Sequence, residues 1–208
     1  TNTERRMFLE KQGVDVEIEY PFTEDFMNME PEAFIEEILI GRLHAKYVVV
    51  GTDYHFGKGR MGNAQMLLER GPEYGFETTI VEKERYQERE ISSTYVREEL
   101  RLGHMETVNV LLGRPYSIYG IVSKGKQLGR QLNLPTLNIY PPDSKLLPPN
   151  GVYASITRLD GKEYFGVTNL GVRPTLDDSP LLSVETNLFD YNDDAYGHYI
   201  EVQLMHFL

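Results

Sequence analysis

Cysteine and tryptophan are both absent from these 208 residues. Without cysteine there are no disulfides and no thiolate metal sites, a composition weakly in keeping with the cytoplasm. No apolar run approaches the roughly 20 residues of a membrane-spanning helix, so no membrane partner is expected. The first residues, Thr-Asn-Thr-Glu-Arg-Arg, contain no apolar signal core. They also lack an initiator methionine and read as helix from the outset, so a fragment or a processed product is expected. Cations are scarce: 21 Lys+Arg stand against 32 Asp+Glu, for a net charge of -11. A general nucleic-acid binder would carry a basic patch, so no nucleic-acid partner is expected. The acidic excess sits mainly in residues 1–112, in runs such as Glu30–Glu37 and Glu82–Glu90 that read as solvated faces.

No internal repeat or low-complexity tract is evident, and two periodicities divide the chain. The first half alternates helix and strand. Glu4–Gln12 reads as helix ended by Gly13, Val14–Tyr20 as a strand of alternating apolar and acidic residues, and Pro31–Leu43 as helix. Lys46–Val50 reads as a short buried parallel strand, Asn63–Glu69 as helix and Glu77–Val81 as strand. Ser93–Leu102 and Met105–Leu112 read as helices. This alternation implies an α/β domain with a mainly parallel sheet. After Gly113-Arg-Pro the pattern becomes strands punctuated by Gly, Pro, Asp and Asn: Tyr116–Val122, Leu137–Tyr140, Val152–Leu159, Glu163–Leu170, Ser183–Phe189 and Tyr199–Phe207. Such spacing suggests a closed antiparallel barrel. Two domains follow, residues 1–112 and 113–208.

The densest chemistry lies in Gly125-Lys-Gln-Leu-Gly-Arg-Gln-Leu-Asn-Leu-Pro-Thr-Leu-Asn138. Gly125 and Gly129 let backbone approach an anion, and Lys124, Lys126 and Arg130 neutralise it. Thr136 and Asn138 are hard, neutral oxygen ligands that share one face of a strand, a donor set suited to a magnesium ion that also holds phosphate. The bland alternative is a solvated Gly/Lys turn leading into an edge strand, and the loop alone favours it. The glycine spacing is not that of a Walker motif.

In the first half, Val50-Gly-Thr-Asp-Tyr-His-Phe-Gly-Lys-Gly-Arg60 follows a strand, where α/β sheets bind ligands. Asp53 could hydrogen-bond a planar ligand there, with Tyr54 and Phe56 to stack on it. An ordinary loop is the alternative. Ile91-Ser-Ser-Thr-Tyr-Val-Arg97 places Ser92 or Ser93 as a helix cap, with Arg97 one turn in. That arrangement suits a phosphate, though a plain N-cap has the same appearance.

Taken in order, these segments resemble a known family. Gly125–Asn138 resembles the riboflavin kinase signature. Asn150-Gly-Val-Tyr-Ala154, Asn169-Leu-Gly-Val-Arg-Pro-Thr175 and Val184-Glu-Thr-Asn-Leu-Phe-Asp190 resemble its later strands and its flavin-side loop. The Asp53 loop and Ser-Ser-Thr-x-x-Arg97 resemble the FAD synthetase module fused to that kinase in a bifunctional bacterial enzyme. The resemblance implies a Rossmann-like nucleotidyltransferase domain, incomplete here, followed by a small Greek-key β-barrel. It implies phosphorylation of riboflavin by ATP to FMN and adenylylation of FMN to FAD, with magnesium.

For the kinase half it makes Glu185 the general base and puts Gly125, Gly129, Arg130, Thr136 and Asn138 on ATP. Of these, Thr136 and Asn138 hold the metal, and Arg173 contacts flavin. For the other half it puts Asp53 on FMN, and Ser93 and Arg97 on ATP. The family's His-x-Gly-His motif has no counterpart among His44, His55, His104, His198 and His206. An upstream strand–helix unit and a helix after the barrel are therefore expected to lie outside these residues. Two other classes remain open: a nucleotidyltransferase with a non-catalytic flavin-binding barrel, and a non-catalytic flavin-binding protein.

Overall fold

The computed structural model describes residues 1–123, 136–174 and 180–208; for Arg173, Pro174, Pro180 and Leu181 it describes the backbone alone. The chain divides into two units, Asn2–Glu90 and Ile91–Leu208, with Thr1 grouped with the second.

In Asn2–Glu90, helix α1 (Asn2–Lys11) ends at Gly13, whose φ of +77° only glycine adopts freely. The following Val14–Tyr20 is not the expected strand. Its acidic residues turn to α1 instead: Arg5 binds Glu17 at 2.8 Å and Glu19 at 2.7 Å, and Arg6 binds Glu19 at 2.7 Å. The apolar alternates stay exposed, Val16 at 72 %.

A short helix α2 (Glu24–Met27) is capped by Thr23, whose hydroxyl accepts from the Phe26 N–H. Pro31 opens α3 (Pro31–Ala33), which widens into a π-helical segment, Phe34–Arg42. The unit's core packs Ile35 and Leu39 from this helix with Phe56, Leu67 and Phe76.

Strands β1 (Tyr47–Gly51) and β4 (Glu77–Val81) run parallel, with Val49 opposite Thr79. Parallel neighbours need a crossover. Here it carries the small hairpin β2 (His55–Phe56) and β3 (Gly62–Asn63), then helix α4 (Ala64–Tyr74). Asn63 caps α4 by accepting from the Met66 N–H, and Gly75 ends it in the left-handed conformation. β1 was expected to be buried on both faces, but it is buried on one. Val48 and Val50 on that face are half-buried against the core, while Tyr47 and Val49 on the other are 75 % and 67 % exposed. A second hairpin, β5 (Arg85–Tyr86) with β6 (Arg89–Glu90), completes the unit.

Ile91–Leu208 begins with α5 (Ser93–Leu102) and α6 (Met105–Leu112), each ended by a left-handed glycine, Gly103 and Gly113. Six antiparallel strands follow: β7 (Tyr116–Ile121), β8 (Thr136–Ile139), β9 (Gly151–Leu159), β10 (Lys162–Pro174), β11 (Pro180–Leu188) and β12 (Tyr199–Phe207). Their order is β7-β12-β9-β10-β11-β8. The Ser123 N–H donates to the Asn138 carbonyl at 2.8 Å, joining the end of β7 to β8 and curling the sheet into a Greek-key barrel.

Alternation fills its interior with Ile118, Ile139, Tyr153, Leu170, Val184 and Leu204. Three buried hydroxyls cross the same interior: Thr168 donates to Ser155 at 2.8 Å and meets Thr186 at 2.9 Å. The helices belong to this core. Leu100, Met105 and Val108 pack into it, and Asn109 joins α6 to two strands, donating to the Leu204 carbonyl and accepting from the Tyr116 N–H. Contacts therefore divide the chain at Glu90/Ile91, whereas the change of period falls at Gly113.

Candidate active sites

The barrel's candidate residues meet through strand register. Glu185 on β11 lies directly opposite Asn138 on β8, and Asn187 opposite Thr136. Partners that face each other in an antiparallel ladder point the same way, with Cβ atoms roughly 4.5–5.5 Å apart. Val184 and Thr186, between these positions, point into the core, so the site lies on the barrel's other face. On the far side of β11, Glu185 faces Asn169 and Asn187 faces Val167, both on β10. The result is a polar row, Asn169–Glu185–Asn138, beside a second row, Val167–Asn187–Thr136.

The Asn138 amide nitrogen donates to the Thr136 carbonyl at 3.2 Å, which ties the carboxamide to its own strand. A carboxylate beside a hydroxyl and carboxamides can accept a proton from a bound alcohol while neighbouring neutral oxygens hold a hard cation. Among the described residues no group of three His, Asp or Glu is arranged to hold a metal. The side-chain oxygens of Thr136 and Asn138 are neutral hard donors of the kind that could complete the shell of such a cation. Gly125, Gly129 and Arg130 lie outside the described residues. Arg173 sits by its backbone on β10 opposite Leu181. Asn169 and Asn187 were not singled out in the sequence, although alternation with Glu185 marks Asn187 as its neighbour on one face.

In Asn2–Glu90, Asp53 stands in the turn after β1, where the Tyr54 N–H donates to the Gly51 carbonyl at 3.1 Å. Lys83, just past the end of β4, reaches its carboxylate at 2.5 Å and Glu90 at 3.7 Å. The Lys83 hydrogen bond holds the Asp53 carboxyl below its ordinary pKa, and the same bond raises Lys83. Sequence reasoning missed Lys83. Its signal is a cation two residues past a strand that pairs in parallel with β1.

Tyr54 stacks on Phe56 at 5.8 Å and 24°, and burial raises its phenol pKa. Phe56 itself is a core residue and is not open to a stacked ligand. It packs on Phe34 at 5.1 Å, and a Cβ at Gly62 would meet its ring at 2.7 Å.

Ser92, not Ser93, caps α5, accepting from the Tyr95 N–H at 3.2 Å. Ser93 and Arg97, one turn apart, line a cleft of about 510 Å³ whose other walls include Val96, Leu111, Tyr116 and Leu146. The end formed by the helix N-terminus attracts anions. Asp53 belongs to one unit and Ser93 and Arg97 to the other, so no strand register assembles these three as it does the barrel residues.

Residues 112–208 match the family described as riboflavin kinase, and residues 1–95 match FAD synthetase. A bifunctional riboflavin kinase/FMN adenylyltransferase of Bacillus subtilis is 37 % identical over 199 residues, covering 94 % of this chain and 62 % of that protein. The Haemophilus influenzae protein of the same name is 39 % identical over 203 residues, covering 96 % and 64 %. The chain thus spans less than two thirds of the length of these relatives. A crystal structure named as a macrolide-efflux protein from Streptococcus pneumoniae aligns over 100 % of this chain and 66 % of that one, with a TM-score of 0.87 and 28 % identity. Among the described residues no helix is long and apolar enough to cross a membrane.

Proposed function

We propose, from the premise that this chain belongs to the bifunctional riboflavin kinase/FMN adenylyltransferase family, that residues 113–208 phosphorylate riboflavin. On the same premise, residues 1–112 form part of the site that adenylylates FMN in the complete protein. The observation that carries the reading is the register pair Glu185–Asn138, with Thr136 on the next row.

In the kinase reaction Glu185 accepts the proton of riboflavin's terminal ribityl hydroxyl. That oxygen forms a bond to the γ-phosphorus of ATP as the bond to the β,γ-bridging oxygen breaks, giving FMN and ADP. Such transfers depend on positioning and on charge neutralisation. Thr136 and Asn138 orient the triphosphate and hold magnesium, and the bound cation supplies charge neutralisation of the phosphates. Gly125, Gly129 and Arg130 complete the ATP loop, and Arg173 contacts the flavin.

In the second reaction an FMN phosphate oxygen bonds to the α-phosphorus of ATP and pyrophosphate leaves. Asp53 contacts FMN, while Ser93 and Arg97 receive the ATP phosphates at the α5 N-terminus. The hydrogen bond from Lys83 lowers the Asp53 pKa and orients its carboxylate as an acceptor. The substrates are small molecules, and the net charge of -11 supports a reading without nucleic acid. The cytoplasm, where ATP is made, is the proposed compartment.

Mass-spectrometric identification of products tests this. The complete protein is incubated with ATP and riboflavin, and separately with ATP and FMN. FMN in the first and FAD in the second are expected. FAD without FMN would leave the barrel a non-catalytic flavin module, and neither product would reduce the protein to a flavin binder.

A further inference from the structure

Asn169 ends the polar row that Glu185 and Asn138 share. Asn169 is exposed, lies directly across from Glu185 and shares its face. The next residue on that face of β10 is Gly171. Among the described residues, a Cβ added at Gly171 would meet one group within 4 Å, the Asn169 amide nitrogen at 3.8 Å. On the other side of Asn169 the same face carries Val167. A neutral carboxamide therefore stands between an apolar side chain and an open floor, one cross-strand spacing from the base.

We propose that Asn169 is a specificity-determining residue of the kinase site, holding the hydroxyl on the carbon next to the one that is phosphorylated. The inference rests on Glu185 being the base. A polyol chain that ends in a primary alcohol carries a secondary hydroxyl on the adjacent carbon, within one hydrogen-bond length of the first. When Glu185 holds the terminal oxygen, a side chain one strand over reaches its neighbour. A carboxamide can both donate to that hydroxyl and accept from it. Being neutral, it forms no ion pair with the carboxylate and does not repel an approaching phosphoryl group. The missing side chain at Gly171 leaves room for the polyol to lie along β10. Alcohols without the second hydroxyl would forgo that hydrogen bond and bind more weakly by about its net worth.

The experiment compares riboflavin with its 4′-deoxy analogue, in the complete protein and its Asn169→Ala variant, reading kcat/KM for FMN-type product. The normal protein is expected to prefer riboflavin by roughly 10-fold, the scale of one net hydrogen bond. Asn169→Ala should lose about that factor on riboflavin and less than about twofold on the deoxy analogue. Equal losses on both substrates would overturn the proposal. As a second variant, Gly171→Ala should raise KM for riboflavin and leave KM for ATP unchanged; an unchanged riboflavin KM would count against the open floor as the polyol's path. Glu185→Gln separates the two readings. If it abolishes turnover while Asn169→Ala has no effect, only this proposal fails. If Glu185→Gln turns over normally, the base assignment fails and takes this proposal with it.

Discussion

In the barrel, Glu185 and Asn138 meet because the antiparallel register of β11 and β8 sets them opposite each other. In Asn2–Glu90, Asp53 and Lys83 meet because two parallel strands end at the same level and one long side chain reaches across. The first arrangement is held by a backbone ladder, so replacing either side chain leaves the geometry of the others in place. The second is held by the ion pair itself, with Asp53 64 % exposed and Lys83 27 %. Candidate residues on the barrel should therefore behave as chemical parts that can be removed one at a time. Those of the α/β unit should respond to charge and pH as well.

The largest effect that tests this contrast is Glu185→Gln in the complete protein. Turnover of riboflavin to FMN should fall by about 100-fold or more, the usual range for a general base. Flavin affinity, followed by quenching of flavin fluorescence, should stay near normal. Near-normal FMN formation would remove Glu185 from the chemistry.

Arg97→Ala comes next. Loss of a charge-assisted contact to phosphate should slow FAD formation from FMN by roughly 10-fold to 100-fold and spare FMN formation from riboflavin. Chromatography of both products from the same preparation makes the comparison, and parallel loss of both would mean that the two reactions share a site.

Thr136→Val keeps the side-chain shape and removes one oxygen ligand. About a fivefold rise in KM for magnesium-ATP is expected, with an unchanged far-ultraviolet dichroism spectrum. An unchanged KM would leave Thr136 a strand residue only.

The smallest effect is that of pH on the Asp53–Lys83 pair. The folded pKa of Asp53 is lowered from the ordinary 3.8, so its stabilisation is present above 3.8 and is lost as pH falls through the lower folded value. Lys83 is raised from 10.5, so its stabilisation is present below 10.5 and is lost as pH rises through the higher value. The pair is thus intact across neutral pH. Carbon-detected NMR titration of Asp53 should show the lowered value, and Lys83→Met should return it to the ordinary range. A normal Asp53 titration in the unmodified protein would mean that the pair does not form in solution.

Much of this was legible in the sequence where local chemistry and tertiary structure agree. α5 and α6 begin and end as read because Gly103 and Gly113 mark their ends and Ser92 marks a start. β12 spans Tyr199–Phe207 as its alternation predicts. Val14–Tyr20 has equally good alternation, yet it forms no strand. Pattern cannot say whether a sheet edge is available, or that Arg5 and Arg6 will claim Glu17 and Glu19. The helix after Pro31 was legible as helix but not in its winding. Ile35, Ile38 and Leu39 fit a helical face of either pitch, and only hydrogen bonds such as Leu43 N–H to the Ile38 carbonyl, at 2.9 Å, reveal the wider turn.

At the candidate site, the common face of Thr136 and Asn138 follows from a period of two. That Glu185 faces Asn138 depends on register between strands some fifty residues apart, which no local pattern encodes. Phe56 illustrates the opposite failure. An aromatic in a glycine-rich loop suggests a ligand platform, but burial had already committed it to the core.

The place of β12 in the sheet bears on how the barrel is made. The stretch latest in sequence sits between β7, the earliest strand, and β9. The barrel therefore cannot zip up in order as the chain emerges from the ribosome. β7 must wait for a partner some eighty residues downstream, and closing so long a loop comes before any ladder energy is gained. Until Tyr199–Phe207 arrives, the facing edges of β7 and β9 are open to strands from other chains. A growing polypeptide is thus most prone to mispairing in the interval just before β12 is released.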